Sequence, residues 1–379
     1  MMRPFILESA ATAHEALRMA QRAQLPHGRR EPDAGAPHPY AAPPPAQPHS
    51  PTSHLDHDHD RPMQFLAGGT TLLDLMKLDV IRPAHLININ ALRHEFGAIE
   101  ADADELRLGA LVRMSAAADH PAIRRDYPVI ADSLRQAASP QLRNMATLAG
   151  NVLQRTRCPY YRDTSWKACN RREPGSGCAA RDGVNRRLAV LGTSEYCIAH
   201  YPGDFANALV ALEAQVSILD ARGAPYTMPL EDLHRLPGSS PHIETNLPDG
   251  HLITGFTVPA QPWTRRSLYL KIRDRASYDF ALAAAAVALD LGPDRMVRTA
   301  RIALGGVATR PWRSHEAEQA LQGWVLDETA ARRAAEAAFR DVSAQGQASF
   351  KPELGRRTLV RALLEAAALP VSGDEDATP

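Results

Sequence analysis

The chain has 379 residues, 44% of them apolar, and its 43 lysines and arginines are matched by 43 aspartates and glutamates. That length suggests two or three domains at roughly 100–200 residues each, and the balanced charge removes the electrostatic case for a nucleic-acid or membrane-surface partner. No apolar run approaches the ~20 residues that a membrane span needs. The opening MMRPFILESA has neither a charged n-region nor an apolar h-region, so the chain is expected to carry no secretion signal of its own. Arg29-Arg30 is followed by Pro- and His-rich sequence, which does not fit a twin-arginine export signal.

In chain order, FILE reads as a strand and THEALRMAQRAQ as a helix. Residues 26–62 are rich in Pro, His and Asp and nearly free of large apolar side chains; they cannot bury a core, and the segment reads as a disordered insert. Its His54, His57 and His59 fit a solvated tether better than a metal site. A strand over Gln64–Ala67 then runs into Gly68-Gly69, with Thr70 at a helix start. Leu72, Leu73, Leu75, Met76 and Leu78 form the apolar face of the helix that follows. LININ reads as a buried strand. Further strands are predicted at Glu105–Gly109 and around Val216–Asp220, and helices at Ser115–His120, Pro128–Ala137 and Phe205–Leu212. After Pro262, SLYLKI, the apolar run ending in AAAAVALDL and ARIALGG read as three strands. Ala-rich helices follow over Ser314–Leu321, Glu328–Ala338 and Arg357–Ala368, then an acidic, frayed tail. Alternating strands and helices indicate α/β or α+β layering.

Two glycine turns could approach an anion closely. In the first, Leu66-Ala67-Gly68-Gly69-Thr70-Thr71-Leu72-Leu73, strand gives way to helix across two glycines, so backbone N–H groups can face a phosphate. It is neither a Walker A nor a dinucleotide fingerprint, and taken alone such a turn is more often plain strand-to-helix punctuation. The second, QLRNMATLAGN, offers Thr147, Gly150 and Asn151. Asp204, in YPGDF, stands at a helix start, where it could cap the helix or accept from a ribose-like hydroxyl. Lys271 and Arg273 alternate on one strand face, where they could set positive charge against a ring or phosphate or simply face solvent.

All four cysteines, Cys158, Cys169, Cys178 and Cys197, fall in one segment with the spacing C-x10-C-x8-C-x18-C. Four thiolates in a loop-rich stretch are the ligand set of a tetrahedral metal or an iron–sulfur cluster. The absence of a C-x2-C pair weighs against zinc, and the spacing matches no common ferredoxin pattern. Two disulfides are the other alternative, though these belong mainly to small secreted domains.

Taken together, FLAGGTTLLDLMK, QLRNMATLAGN, YPGDFANALVALEAQV, LYLKIRDRASYDFAL and RIALGGVATRPWR resemble, in order, the FAD-binding subunit of the molybdenum hydroxylases, the xanthine dehydrogenase and carbon monoxide dehydrogenase type enzymes. The cysteine segment is similar to that of the bacterial periplasmic aldehyde oxidoreductases, whose FAD subunit carries an added [4Fe–4S] cluster. The resemblance implies an α+β protein. Its residues 1–260 would form a two-part PCMH-type FAD-binding domain, with the insert at 26–62 and the cysteine insertion at 155–198. Residues 261–370 would form a small sheet-and-helix domain like the carbon monoxide dehydrogenase flavoprotein C-terminal domain, and 371–379 the tail. By the same resemblance, Leu66–Leu73 would wrap the FAD pyrophosphate, and Thr147, Gly150 and Asn151 would form a second contact. Asp204 would lie near the flavin's sugar-like chain and Lys271 near the isoalloxazine, while the four cysteines would bind the cluster. The implied partners are a large molybdenum-cofactor subunit, a small [2Fe–2S] subunit and an acceptor such as a ferredoxin-like protein, quinone or oxygen. The implied compartment is the periplasm, by co-export with a signal-bearing partner, or the cytoplasm. A zinc-stapled scaffold subunit without flavin is the alternative, and it leaves both glycine turns unexplained.

Overall fold

The computed structural model describes residues 2–24, 62–344 and 346–370. The predicted insert, apart from Pro62, and the acidic tail lie outside the described residues. Strands β1 (Ile6–Ser9), β2 (Met63–Leu66) and β3 (His85–Asn88) form a parallel sheet in the order β1-β3-β2. The helix Ala13–Gln24 lays Ala13, Ala16, Leu17, Ala20 and Ala23 on it, a stripe at helical spacing that meets Met63, Ile87 and Ile89.

A second sheet is antiparallel throughout. It comprises β4 (Ile99–Ala101), β5 (Glu105–Gly109), β6 (Gln215–Leu219), β7 (Pro225–Pro229) and β8 (Leu252–Pro259), in the order β4-β5-β8-β6-β7. Its central strand, β8, is absent from the sequence reading because Thr254-Gly255 interrupts the alternation of LITGFTVP. Gly255 has a packing reason: a Cβ there would lie 2.9 Å from the Leu108 carbonyl oxygen of the neighbouring strand. Helices Met114–Asp119, Pro128–Gln136 and Phe205–Ala211 close this core, and every residue of the last is buried.

The third sheet, β9 (Ser267–Ile272), β10 (Ala283–Leu291), β11 (Val297–Gly305) and β12 (Trp312–Arg313), is also antiparallel, in the order β12-β11-β10-β9. Along β10 the two faces serve different cores. Ala284, Ala286 and Ala288 join the core of the second sheet, whereas Ala283, Ala285, Val287 and Leu289 pack on helices His315–Leu321, Glu328–Ala338 and Lys351–Ala367. The last helix starts six residues before the predicted Arg357, because Pro352 belongs to its first turn rather than to a loop. Gly355 lies inside it, where a Cβ would stand 2.2 Å from the Phe339 ring. The layering is α+β, as the sequence implied. Among the described residues no helix is long and apolar enough to cross a membrane.

A cofactor cleft beside a cysteine pocket

The two glycine turns meet. A Cβ on Gly68 would lie 2.1 Å from the carbonyl oxygen of Met145, so only glycine lets the first turn rest on the chain entering the second. Gly69 adopts φ +72°, the left-handed region, and turns the chain into the helix Leu72–Lys77. Two residues that sequence reasoning missed brace the pair. The Asn90 side-chain amide donates to the Ala67 carbonyl at 2.9 Å, and the Arg113 guanidinium donates to the Met145 carbonyl and to Asn90 Oδ1. Among the described residues, the backbone amides of Gly68, Gly69, Thr70 and Thr71 donate to no protein acceptor, and the Thr71 side chain caps nothing. Leu75 and Met76 supply the buried face of this helix, while Leu78 is largely exposed.

In the second turn Thr147 is a helix N-cap: its Oγ1 accepts from the Gly150 amide at 3.3 Å. Gly150 itself is exposed, with nothing but that hydroxyl near the place of a Cβ. Asn151 Oδ1 is buried without a partner. Ala67, Thr147 and Gly150 line one cleft together with Tyr201, His234, Arg155, Arg171 and Glu244. An open glycine face, unpaired amides and an orphaned amide oxygen fit a phosphate-bearing cofactor with polar groups to offer.

His234 was also not legible. Its Nε2 is buried without a partner, and its ring lies 4.7 Å from that of Tyr201, whose hydroxyl donates to the Val152 carbonyl at 2.8 Å. Burial lowers its pKa to about 4, against the opposing pull of the Glu244 carboxylate. The unfolded chain takes up this proton below about pH 6.5, whereas the folded protein does so only near the lowered value. Stability should therefore be lost as pH falls from 6.5 toward 4, by up to about 1.4 kcal/mol per pH unit from this residue. Denaturant midpoints of wild type and His234→Phe over that range test it; parallel curves would refute it.

Of the predicted FAD residues only Ala67, Thr147 and Gly150 line this cleft; Leu66, Gly68, Gly69, Thr70, Thr71, Leu72, Leu73 and Asn151 belong to the two turns at its side, and Asp204 and Lys271 lie apart from it. They pair with each other, Nζ to Oδ2 at 2.7 Å, with side chains 4% and 1% exposed. Tyr269 donates its hydroxyl to Asp204 Oδ1 at 2.8 Å, and Lys271 also donates to the Gln136 carbonyl at 3.0 Å. Although Asp204 opens the helix Phe205–Ala211, its carboxylate makes no cap bond. Strand β9 alternates, and Ser267, Tyr269 and Lys271 are its buried face. Arg273 likewise donates to Gln136 O, at 3.2 Å.

The four cysteines are free thiols lining one pocket, together with Tyr160, Tyr161, Arg171 and Ala199. Cys169 and Cys178 face each other across an isolated antiparallel bridge. Burial pushes the Cys158 thiol up to about 12 and raises Cys169 and Cys178, even though backbone amides point at all three sulfurs. Cys197 Sγ accepts from the Arg171 guanidinium at 3.8 Å and from the Ala199 amide at 3.5 Å. Among the described residues no group of three or more His, Cys, Asp or Glu is placed to hold a metal ion. The segment has more support of its own than its composition suggested: Tyr160, Tyr161, Leu188 and Ile198 pack with Leu75 and Val80. Arg172 donates to the carbonyls of Tyr160 and Tyr161, each at 2.8 Å. Asp74 ties it to the first turn's helix through Arg157 and Arg162, at 3.3 and 2.9 Å.

Residues 50–261 match the family described as FAD binding domain in molybdopterin dehydrogenase, and residues 268–367 match the CO dehydrogenase flavoprotein C-terminal domain. The chain is 47% identical to the FAD-binding subunit of aldehyde oxidoreductase from Escherichia coli, over 80% of this chain and 92% of that one. It is 26% identical to the carbon monoxide dehydrogenase medium chain of Afipia carboxidovorans, over 80% and 88%. Its fold is similar to a solved structure of carbon monoxide dehydrogenase from Hydrogenophaga pseudoflava, at TM-score 0.67 and 22% identity, covering 97% of this chain and 98% of that one. Two matched domains in tandem, with nearly half the aligned residues shared with a named FAD subunit, establish that the chain belongs to the FAD-binding medium subunits of the molybdenum hydroxylase family.

Proposed function

We propose that the chain is the electron-transfer subunit of a three-component, molybdenum-dependent aldehyde oxidoreductase, with FAD in the cleft and a [4Fe–4S] cluster on Cys158, Cys169, Cys178 and Cys197. The observation that carries this reading is the meeting of two glycine turns, with unpaired amides, beside a pocket of four free thiols. In it, Leu66–Leu73 holds the pyrophosphate through the amides of Gly68–Thr71, Leu72 and Leu73 anchor that loop, and Gly150 and Asn151 supply the second contact. Asp204 and Lys271 stiffen the wall behind the flavin site rather than touching its ring. When bound, FAD supplies the redox chemistry that links one-electron centres to an acceptor, and the protein's part is to orient it and set its potential.

Support for the cluster comes from the donor set, four free cysteines lining one pocket. The buried thiols must shed their protons on loading, as metal binding generally requires. The proposed division is a FAD domain over 1–260 and a second domain over 261–370. The proposed partners are a large molybdenum subunit and a small [2Fe–2S] subunit. An aldehyde is the proposed substrate class, on the strength of the Escherichia coli relative's name. The acceptor would be a ferredoxin-like protein, quinone or oxygen.

The test is the absorption spectrum of the purified complex with iron, sulfide, zinc and flavin analysis. Flavin bands on a broad brown shoulder, with four irons per chain of this subunit beyond those of the [2Fe–2S] partner, are expected. Cys169→Ser should remove those four irons and open residues 155–198 to protease, while leaving flavin bound. A colourless zinc protein, or two intact disulfides in freshly prepared material, would overturn the cluster.

A further inference from the structure

One side chain belongs to both sites. Arg171, with only 6% of its side chain exposed, lines the cofactor cleft and the cysteine pocket alike. Its Nη2 lies 3.8 Å from Cys197 Sγ, and its Nη1 lies 2.5 Å from Glu244 Oε2. Glu244 is in turn held by Arg155, whose guanidinium sits 5.0 Å above the Tyr161 ring beside the cysteines. Arg171, Glu244 and Arg155 thus form an arginine–glutamate–arginine triad, largely shielded from solvent, that lines the cleft and reaches the cysteine pocket through Arg171. Replacing such a triad by apolar side chains often costs little stability, so its presence asks for another explanation.

We propose that Arg171 is a charge-tuning residue shared by the two redox sites, with Glu244 as the counter-ion that sets how much positive charge each site feels. The proposal rests on the flavin and cluster reading above. Adding one electron to a cluster adds one negative charge and no proton. A cation donating to a ligand sulfur therefore favours the reduced state, because hydrogen bonds to the sulfurs and nearby charge set cluster potentials. The same guanidinium borders the cleft, so a gain of negative charge there is eased in the same way. The two groups then respond together to any change in the triad. The part of Arg155 is to hold Glu244 in place.

Opposite signs distinguish this from a structural role. In the purified complex, potentiometric titration followed by electron paramagnetic resonance and visible absorption should find a lower cluster potential in Arg171→Gln. The expected size is about a tenfold change in the oxidised-to-reduced ratio at fixed potential, about 59 mV for a one-electron couple. Arg171→Lys should lie between that variant and wild type. Glu244→Gln leaves the arginine charge uncompensated and should raise the potential, and the flavin should follow the same sign in each variant. If Arg171→Gln assembles no cluster, Glu244→Gln alone decides by its sign. An iron-replete Glu244→Gln complex with an unmoved or lowered cluster potential overturns the proposal, and a flavin potential unchanged in every variant removes the shared role. Wild-type complex lacking this subunit's iron would instead sink the cluster reading on which the proposal stands.

Discussion

Lys271→Met should lower the unfolding free energy by about 3–5 kcal/mol, the usual cost of removing one partner from a buried ion pair. The carboxylate of Asp204 would keep the Tyr269 hydroxyl but lose its cation, 2.7 Å away, in a place where water does not reach it. Denaturant unfolding of the chain reads the loss directly. Replacing both members together, Asp204→Leu with Lys271→Met, should recover much of it, because no isolated charge is then left behind. A single variant within about 0.5 kcal/mol of wild type, the range of ordinary surface changes, would show that the pair carries no weight. The flavin's potential should move little, since Asp204 neutralises the lysine and both side chains are buried. A lysine set against the isoalloxazine would behave the other way round.

Gly68→Val should give protein that keeps its fold and loses nearly all its flavin. The valine Cβ would need the space now held by the Met145 carbonyl, 2.1 Å from its ideal position, and backbone cannot step aside as a side chain can. Overpacking of this kind costs about 1–3 kcal/mol, and here it is relieved by parting the two turns whose contact forms the cofactor cradle. If the whole cost falls on binding, affinity drops by up to roughly a hundredfold at 1.4 kcal/mol per tenfold. Flavin-to-protein ratio after gel filtration measures it, with circular dichroism to show that the three sheets survive. Full flavin occupancy in a folded variant would remove this turn from the site.

What could be read from the sequence was whatever chemistry is local. The strand, Gly68-Gly69 and the helix after them sit within the fifteen residues Met63–Lys77, so alternation, glycine and the apolar stripe announce them together. The four cysteines announce themselves by crowding. Residues joined only by folding stayed hidden. Nothing in spacing sets Arg171 against Glu244, or Asn90 and Arg113 against the Ala67 and Met145 carbonyls. Lys271 was legible as a cation on a strand face, but which face is buried depends on the helix Pro128–Gln136, whose Gln136 carbonyl receives it. Strand β8 was missed because it lies at the middle of its sheet. There both edges are paired, with β5 and β6, and a Thr-Gly step inside the strand goes unpunished.

The first sheet also carries a lesson in polymer statistics. Ser9 and Asn88 are register partners 79 positions apart, and residues 26–61 account for nearly half of that span. The entropy of closing a flexible loop grows only with the logarithm of its length, so doubling it costs about 0.6 kcal/mol. Without those 36 residues the span would be 43, so by this rule their presence costs the first sheet about 0.6 kcal/mol. Gln24 and Pro62, where the chain departs and returns, both stand on the wall of the cofactor cleft.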